Sequence, residues 1–155
     1  ADTPTPSPGA RCTKDGFMSS PAEFARGLLR RARDDAYVVE QLARDSAAPD
    51  WIIGFHAQQA VEKALKAVLA AAGVQFPRTH NIAMLLALLE QAGKKPPENC
   101  TGLERLTPFG VAARYEGGLD QSFVLDRSTT RAEIATVIAW GQDALSALIA
   151  PNKGI

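Results

Sequence analysis

The chain has little of what would place it in a functional class at once. It contains only two cysteines, Cys12 and Cys100, so it has no CxxC metal or redox motif. A single disulfide between them is the alternative, but we expect both as reduced thiols in the cytoplasm. Its 17 basic and 17 acidic residues cancel, which leaves no overall positive charge for nucleic acid. No apolar run approaches the roughly 18 residues of a membrane span, so we expect no membrane association.

Proline and small polar residues divide the chain. Residues 1–20 alternate proline with threonine and serine, which is typical of an extended segment without a core. Helical periodicity and about half hydrophobic composition then continue to residue 150. We predict a flexible N-terminal tail over 1–20, one helical domain over 21–150 and a C-terminal tail over 151–155.

The stretch from Asp50 to Gly73 is the clearest helix. Asp50 is its predicted N-cap, and Gly73 is the predicted left-handed residue that ends it. At about 100° per residue, one face is apolar and rich in alanine. The opposite face carries His56, Gln59, Lys63 and Lys66 with little acidic charge. This face either contacts solvent or binds a polar or anionic ligand.

Four further helices are predicted. The first begins with the capping box of Ser20 and Glu23 and runs to about residue 44. The next, 82–92, is apolar on nearly every side and is predicted to be buried. A third, 103–115, is kinked at Pro108, and the last begins with a capping box at Thr130 and ends near residue 150. Without period-two alternation, the prediction is an all-α, up-and-down antiparallel helical bundle of about five helices with essentially no sheet.

The first helix carries a cluster of arginines on its outer face. Arg26, Arg30, Arg31 and Arg33 lie within eight residues, partly balanced by nearby acidic residues. Such a cluster is suited to phosphate, but a solvated face is the favoured interpretation.

Three separate segments resemble the HEPN domain family. They are FHAQQAVEKALKAVL at 55–69, FPRTHNI at 76–82 and LTPFGVAARY at 106–115. The resemblance covers about 21–150 and implies a helical bundle that usually forms a homodimer. It also implies a minimal nucleotidyltransferase as partner, in a two-component module resembling toxin–antitoxin pairs.

Many HEPN proteins are metal-independent endoribonucleases, and their motif is absent here. That motif places a histidine four to six residues after an arginine and a polar residue, so that histidine moves a proton while arginine stabilises the phosphorane charge. Neither His56 nor His80 follows an arginine at that spacing, and no histidine follows Arg114. RNA cleavage is therefore disfavoured. Helical rise predicts that the two histidines lie about 35 Å apart unless the chain bends sharply, and no metal site is expected.

The family resemblance places a functional arginine at Arg114, next to Tyr115. Together with the polar face of the second helix and the connector after it, this defines a candidate ligand site. Its members are His56, Gln59, Lys63, Arg78, Arg114 and Tyr115. The first hypothesis is a non-catalytic homodimer that binds a nucleotide or presents a substrate, has no other cofactor, and partners a minimal nucleotidyltransferase. The alternatives are an endoribonuclease toxin with an atypical site and a purely structural helical dimer.

Overall fold

A computed structural model describes residues 11–12, 18–100, 102–112 and 124–150 of the chain. The described part of the N-terminal segment forms a short antiparallel pair, β1 (Arg11–Cys12) with β2 (Met18–Ser19). The tail predicted for 1–20 therefore contains a two-residue strand pairing, the only sheet within these ranges. The rest of the described chain is helical or loop.

Five α-helices account for most of the described residues, which confirms the all-α helical bundle. They are α1 (Pro21–Leu42), α2 (Asp50–Ala71), α3 (Ile82–Gln91), α4 (Thr107–Ala112) and α5 (Arg127–Ile149). Two 3₁₀ turns, Glu98–Cys100 and Leu103–Leu106, precede α4. The kink predicted at Pro108 is this change from 3₁₀ to α-helix, because proline fits the first turn of a new helix.

Helix α2 lies at the centre and contacts each of the other four helices. Contacts at the start and in the middle of α5 set its direction. Arg127 at its start bonds Asp50 at the start of α2, and a Cβ at Gly141 would lie 3.9 Å from the Ala64 carbonyl oxygen. Helices α2 and α5 therefore run parallel. Arg131 bonds Glu40 near the end of α1, so α5 is antiparallel to α1.

Small side chains explain why the three long helices pack closely. The apolar face predicted for α2 is fully buried, and much of it is alanine. The buried alanines of α1 and α2 are Ala25, Ala32, Ala57, Ala60, Ala64 and Ala67. At such positions little side-chain volume separates the helix axes, so polar side chains at the edges of the contact reach across it.

Two of the predicted helix caps are wrong. Pro49, not Asp50, is the N-cap of α2, and Asp50 lies inside the first turn, where it accepts hydrogen bonds from the backbone N–H of Leu125 (3.2 Å) and from Arg127 Nε (2.9 Å). Helix α5 is capped by the Asp126 carboxylate, four residues before the cap predicted at Thr130. At α2, Asp50 bonds distant residues instead of capping the helix. At α5, Asp126 caps the helix before the chain reaches Thr130.

The Thr130 side chain is fully buried rather than capping. Its hydroxyl accepts from Arg105 Nη2 at 3.1 Å, and the same guanidinium lies 2.6 Å from the buried Glu133 carboxylate. The residues that resemble a capping box therefore join α5 to the turn before α4.

The boundaries predicted at the start of α1 and at the end of α2 hold, and α3 needs one correction. The end predicted for the fourth helix near residue 115 lies outside the described residues. The capping box of Ser20 and Glu23 is present, and Gly73 has φ +72°. Helix α3 is only half-buried: Ile82, Leu85 and Leu89 face the core, whereas Met84 is 43% exposed. It covers one side of α2 and has solvent on its other side. None of the described helices is both long and apolar enough to cross a membrane.

Candidate functional site

The polar face of α2 packs against an acidic residue of α1. His56 Nδ1 lies 2.9 Å from Asp35 Oδ1, and Lys63 Nζ lies 2.5 Å from Asp35 Oδ2. His56 and Lys63 are seven residues apart, so both project from the same stripe of the helix and converge on one carboxylate. The Asp35 side chain is only 12% exposed. The polar face of α2 was predicted to have little acidic charge, and Asp35 of α1 supplies a carboxylate there.

A second carboxylate lies beside the first pair, within α2 itself. The buried Glu62 side chain accepts from Gln58 Nε2 at 2.6 Å and from Lys66 Nζ at 2.6 Å, and His80 Nδ1 lies 3.0 Å from it. Burial acts to raise the pKa of Glu62, but the hydrogen bonds from Lys66, Gln58 and His80 outweigh it and hold the pKa below its usual value. Glu62 is therefore ionised at neutral pH.

His80 reaches α2 because the connector after this helix folds back along it. Gln58 Nε2 donates to the His80 carbonyl at 3.3 Å, and Lys66 Nζ donates to the Thr79 carbonyl at 2.8 Å. The Lys66 ammonium also lies 5.8 Å from the centre of the Phe76 ring. The chain therefore makes the sharp bend that was the stated exception to the wide separation predicted from helical rise.

Gln59 bonds the second group and lies next to the first on the helix surface. Its Nε2 donates to Gln58 Oε1 at 2.7 Å, and it lies between His56 and Lys63 on the helix surface. We call the whole set the α2 polar network. It consists of Asp35, His56, Gln58, Gln59, Glu62, Lys63, Lys66 and His80. Two carboxylates and two ammonium groups cancel, so with neutral histidines the network has no net charge.

Close contact with α4 holds Gln58 from behind. Gln58 is fully buried, and a Cβ added at Gly110 would lie 2.5 Å from its side-chain amide. One turn earlier, a Cβ at Gly54 would lie 2.2 Å from the Phe109 ring. Both glycines let α4 approach α2 more closely than alanine would permit, and this fixes one side of the network.

Each histidine of the network has one ring nitrogen held and one available. A carboxylate accepts at Nδ1 of both rings, which places a proton on Nδ1; in the neutral ring, Nε2 is then an acceptor. Nε2 of His56 and of His80 bonds none of the residues described. The two side chains are 28% and 37% exposed, so each ring is partly open to solvent. Within the described ranges, no three His, Cys, Asp or Glu side chains come together as a metal ion would require.

The structure brings together three of the six predicted site residues. His56, Gln59 and Lys63 belong to the network. Arg78 is exposed, bonds no residue in the described part of the chain, and lies two positions before His80. Arg114 and Tyr115 lie outside the described residues, so their placement beside the network stays a prediction.

Sequence reasoning missed the acidic half of the site. Glu62 is four residues from both Gln58 and Lys66, and this i, i+4 spacing is a signal that finds it. Asp35 gives no such signal, because its partners lie on another helix. Only the relative rotation of α1 and α2 brings Asp35 to His56 and Lys63.

Comparison with known proteins agrees with this fold. The HEPN domain family model matches residues 25–139, which is most of the chain and includes the whole network. The protein belongs to the HEPN domain family. It is also 39% identical over 56 residues to the protein named Putative toxin MJ1304 of Methanocaldococcus jannaschii. That match covers 36% of each chain, so it spans about a third of the relative's length. No solved structure matches the chain.

Proposed function

We propose that this HEPN protein is a non-catalytic, nucleotide-binding homodimer that partners a minimal nucleotidyltransferase in a toxin–antitoxin-like module. The observation that carries the proposal is the α2 polar network, an electrically neutral, internally bonded surface with two accessible imidazole nitrogens. Such a surface suits recognition by hydrogen bonding. The edge of a nucleotide base or its ribose hydroxyls would donate to His56 Nε2 and His80 Nε2.

The exposed arginine beside the network suits the phosphates of the same ligand. Arg78 bonds none of the described residues, so its guanidinium is available to a phosphate. Lys63 and Lys66 are less suited, since each is held by a carboxylate that an anion would have to displace. Arg114 and Tyr115 remain candidates from the family resemblance alone.

Calorimetric titration of the purified protein with ATP, GTP and their diphosphates tests nucleotide binding. We expect at least one to bind, with affinity reduced about tenfold or more by His56→Ala or by Arg78→Ala, the loss of one charged or well-placed hydrogen bond. Arg31→Ala is the matched control, because Arg31 is an exposed arginine of α1 with no part in the network. Melting curves identify variants that lose affinity through unfolding. If the unmodified protein binds no nucleotide, this part of the proposal is wrong.

Light scattering and co-expression test the proposed assembly. A homodimer has twice the chain mass of 16.5 kDa. Trp51 is 49% exposed and supplies apolar surface for such a contact. Co-expression with a minimal nucleotidyltransferase is expected to yield a complex that survives gel filtration. A monomer that never co-elutes with the enzyme contradicts the proposed assembly. That result does not bear on whether the protein binds a nucleotide or RNA.

One observation supports a ribonuclease as second candidate. Both histidines are oriented by carboxylates, as in general acid–base sites, and the relative's name includes the word toxin. Against this, Lys63 and Lys66 are already neutralised, which leaves less charge for a phosphorane. The test is cleavage of a labelled RNA with EDTA present. Cleavage abolished by both His56→Ala and His80→Ala establishes the ribonuclease. Intact RNA, together with no bound nucleotide, leaves the purely structural dimer.

A further inference from the structure

A groove on the other side of α1 carries three arginines that the α2 polar network does not use. Arg26, Arg30 and Arg33 line one wall of a cavity of about 600 Å³ between the start of α1 and the end of α5. All three are exposed, and none forms a hydrogen bond or ion pair with any residue that the structure describes.

These arginines differ from others in the protein. Arg44 and Arg131 both bond Glu40, Arg127 bonds Asp50, and Arg105 pairs with Glu133. The groove arginines instead repeat at i, i+4 and i+7, and no other charged residue lines the groove, although Asp34 follows Arg33 directly on α1. Like charges at this spacing destabilise a helix, so an anionic occupant would relieve the repulsion.

The floor and far wall are not basic. The aliphatic side chains of Leu29, Leu145 and Ile149 form the floor. On α5, Ser146 and Ala150 are small, which lowers that wall and leaves room for another backbone to approach. The groove is therefore apolar at its base and positive along one edge.

We propose that this α1–α5 groove binds an acidic, amphipathic helix of a partner protein. A third helix fits the shallow channel between two packed helices, with its aliphatic side chains over the floor. Glutamate or aspartate at helical spacing then faces the arginines, whose planar guanidinium groups bind carboxylates bidentately. Single-stranded RNA is the weaker fit, because stacking of bases needs aromatic side chains and none lines the groove.

This surface is separate from the α2 polar network, so the two proposals fail independently. The α2 polar network faces the connector at 74–81, whereas the groove lies where α1 meets α5. Variants of the groove are expected to leave nucleotide affinity unchanged.

Selection from a displayed library of helical peptides of about sixteen residues, with random surface positions, tests the groove against the full-length protein. We expect the selected peptides to carry acidic residues at helical spacing beside leucine or alanine. Their affinity is expected to fall about tenfold or more in R26E/R30E/R33E. Arg31 has the same charge on the same helix but does not line the groove, so R31E is the matched control and keeps the affinity.

The neutral triple variant R26Q/R30Q/R33Q separates loss of attraction from introduced repulsion, and melting curves verify that each variant is folded. Weakened binding in the neutral variant supports the proposal. It is overturned if no peptide is enriched, if the enriched peptides lack acidic residues, or if the triple variants bind them normally. A short RNA that binds through the same arginines more tightly than the selected peptides also overturns it.

Discussion

At the scale of single residues, Glu62 has the most consequential position. It lies within α2 on the helix that contacts all others, yet it is ionised and only 7% exposed at its side chain. Three partners satisfy it, and they come from its own helix and from the returning connector. Glu62 therefore links the polar face to the position of His80 as well as to the stability of the fold.

Replacing Glu62 with glutamine is expected to destabilise the protein by about 3 kcal/mol, the usual result of breaking a buried ion pair while its partner stays buried. Lys66, whose side chain is 14% exposed, loses its counter-charge. Urea unfolding monitored by circular dichroism measures the change. The control is Glu90→Gln on the exposed side of α3, where we expect less than about 0.5 kcal/mol. Equal effects at both positions would mean that the ion pair contributes no stability.

At the scale of helices, contact distances decide which small residues are essential. Gly27 and Gly54 both lie inside long helices, where glycine costs about 0.5–1 kcal/mol relative to alanine. A Cβ at Gly27 would meet nothing closer than 3.7 Å, the end of a flexible arginine, whereas at Gly54 it would lie 2.2 Å from the Phe109 ring. The same substitution is therefore expected to have opposite signs in the two helices.

We expect Gly27→Ala to stabilise the protein by about 0.5–1 kcal/mol. Gly54→Ala is expected to destabilise it by about 1–3 kcal/mol, because the ring of Phe109 and helix α4 must shift. Thermal melts of the two variants, read against the unmodified protein, provide the comparison. A stabilising Gly54→Ala would show that α4 does not pack tightly on α2.

Arg127 ties the beginning of α5 to the α1–α2 turn. Its guanidinium donates to the Asp50 carboxylate (2.9 Å) and to the carbonyls of Asp45 (2.8 Å) and Ala48 (2.6 Å). Arg127→Lys keeps the charge but loses the planar set of donors. We expect a loss of about 2 kcal/mol in the free energy of unfolding, since each hydrogen bond to a charged group contributes about 1.5–3 kcal/mol and the site is partly exposed. Arg31→Lys is the control. An equal effect there would argue against a stabilising role for the planar guanidinium of Arg127.

The helices themselves follow from local patterns, and their mutual contacts do not. Ser20 and Gly73 mark helix boundaries through bonds within a few residues, and both were predicted. Asp50 was predicted as a cap, but it bonds Arg127 from a distant part of the chain. Asp35 was missed for the same reason. A sequence pattern shows which residues share a face but not the angle at which two faces meet.

At the scale of the whole molecule, a net charge of zero conceals an uneven distribution. Carboxylates are already bonded around α2 and at the start of α5, while the arginines of the α1–α5 groove bond none of the residues that the structure describes. Several of these carboxylates depend on ionisation for their contacts, which makes overall stability sensitive to acid.

Among the described residues, three carboxyl groups have lowered pKa values. Hydrogen bonds from Arg131 and Arg44 lower the pKa of Glu40 to about 2, and the backbone N–H and hydroxyl of Thr129 lower the pKa of Asp126. The pKa of Glu62 is lowered by its hydrogen bonds from Lys66, Gln58 and His80. Each folded pKa lies below its unfolded value, so the unfolded state binds more protons, and this stability is complete above about pH 4.5 and lost as pH falls toward about 2.

Urea unfolding between pH 6 and pH 2 measures this dependence. We expect the free energy of unfolding to be nearly constant above about pH 5 and to fall steadily below it. Glu62→Gln and Glu40→Gln are each expected to flatten the fall. A curve that stays level down to about pH 2 would mean that these carboxylates contribute equally to the folded and unfolded states.

The buried thiol of Cys100 makes the loop before α4 measurable in an unusual way. Burial and the nearby Glu133 charge raise the pKa of Cys100, and its side chain is 7% exposed, so a thiol reagent reaches it only when the segment detaches. In a Cys12→Ser variant, the labelling rate of Cys100 measures how often that segment detaches. The same segment leads directly into the helix that holds Gln58 in place. A ligand bound to the α2 polar network would therefore lower the rate at which Cys100 is labelled, without contacting its sulfur atom.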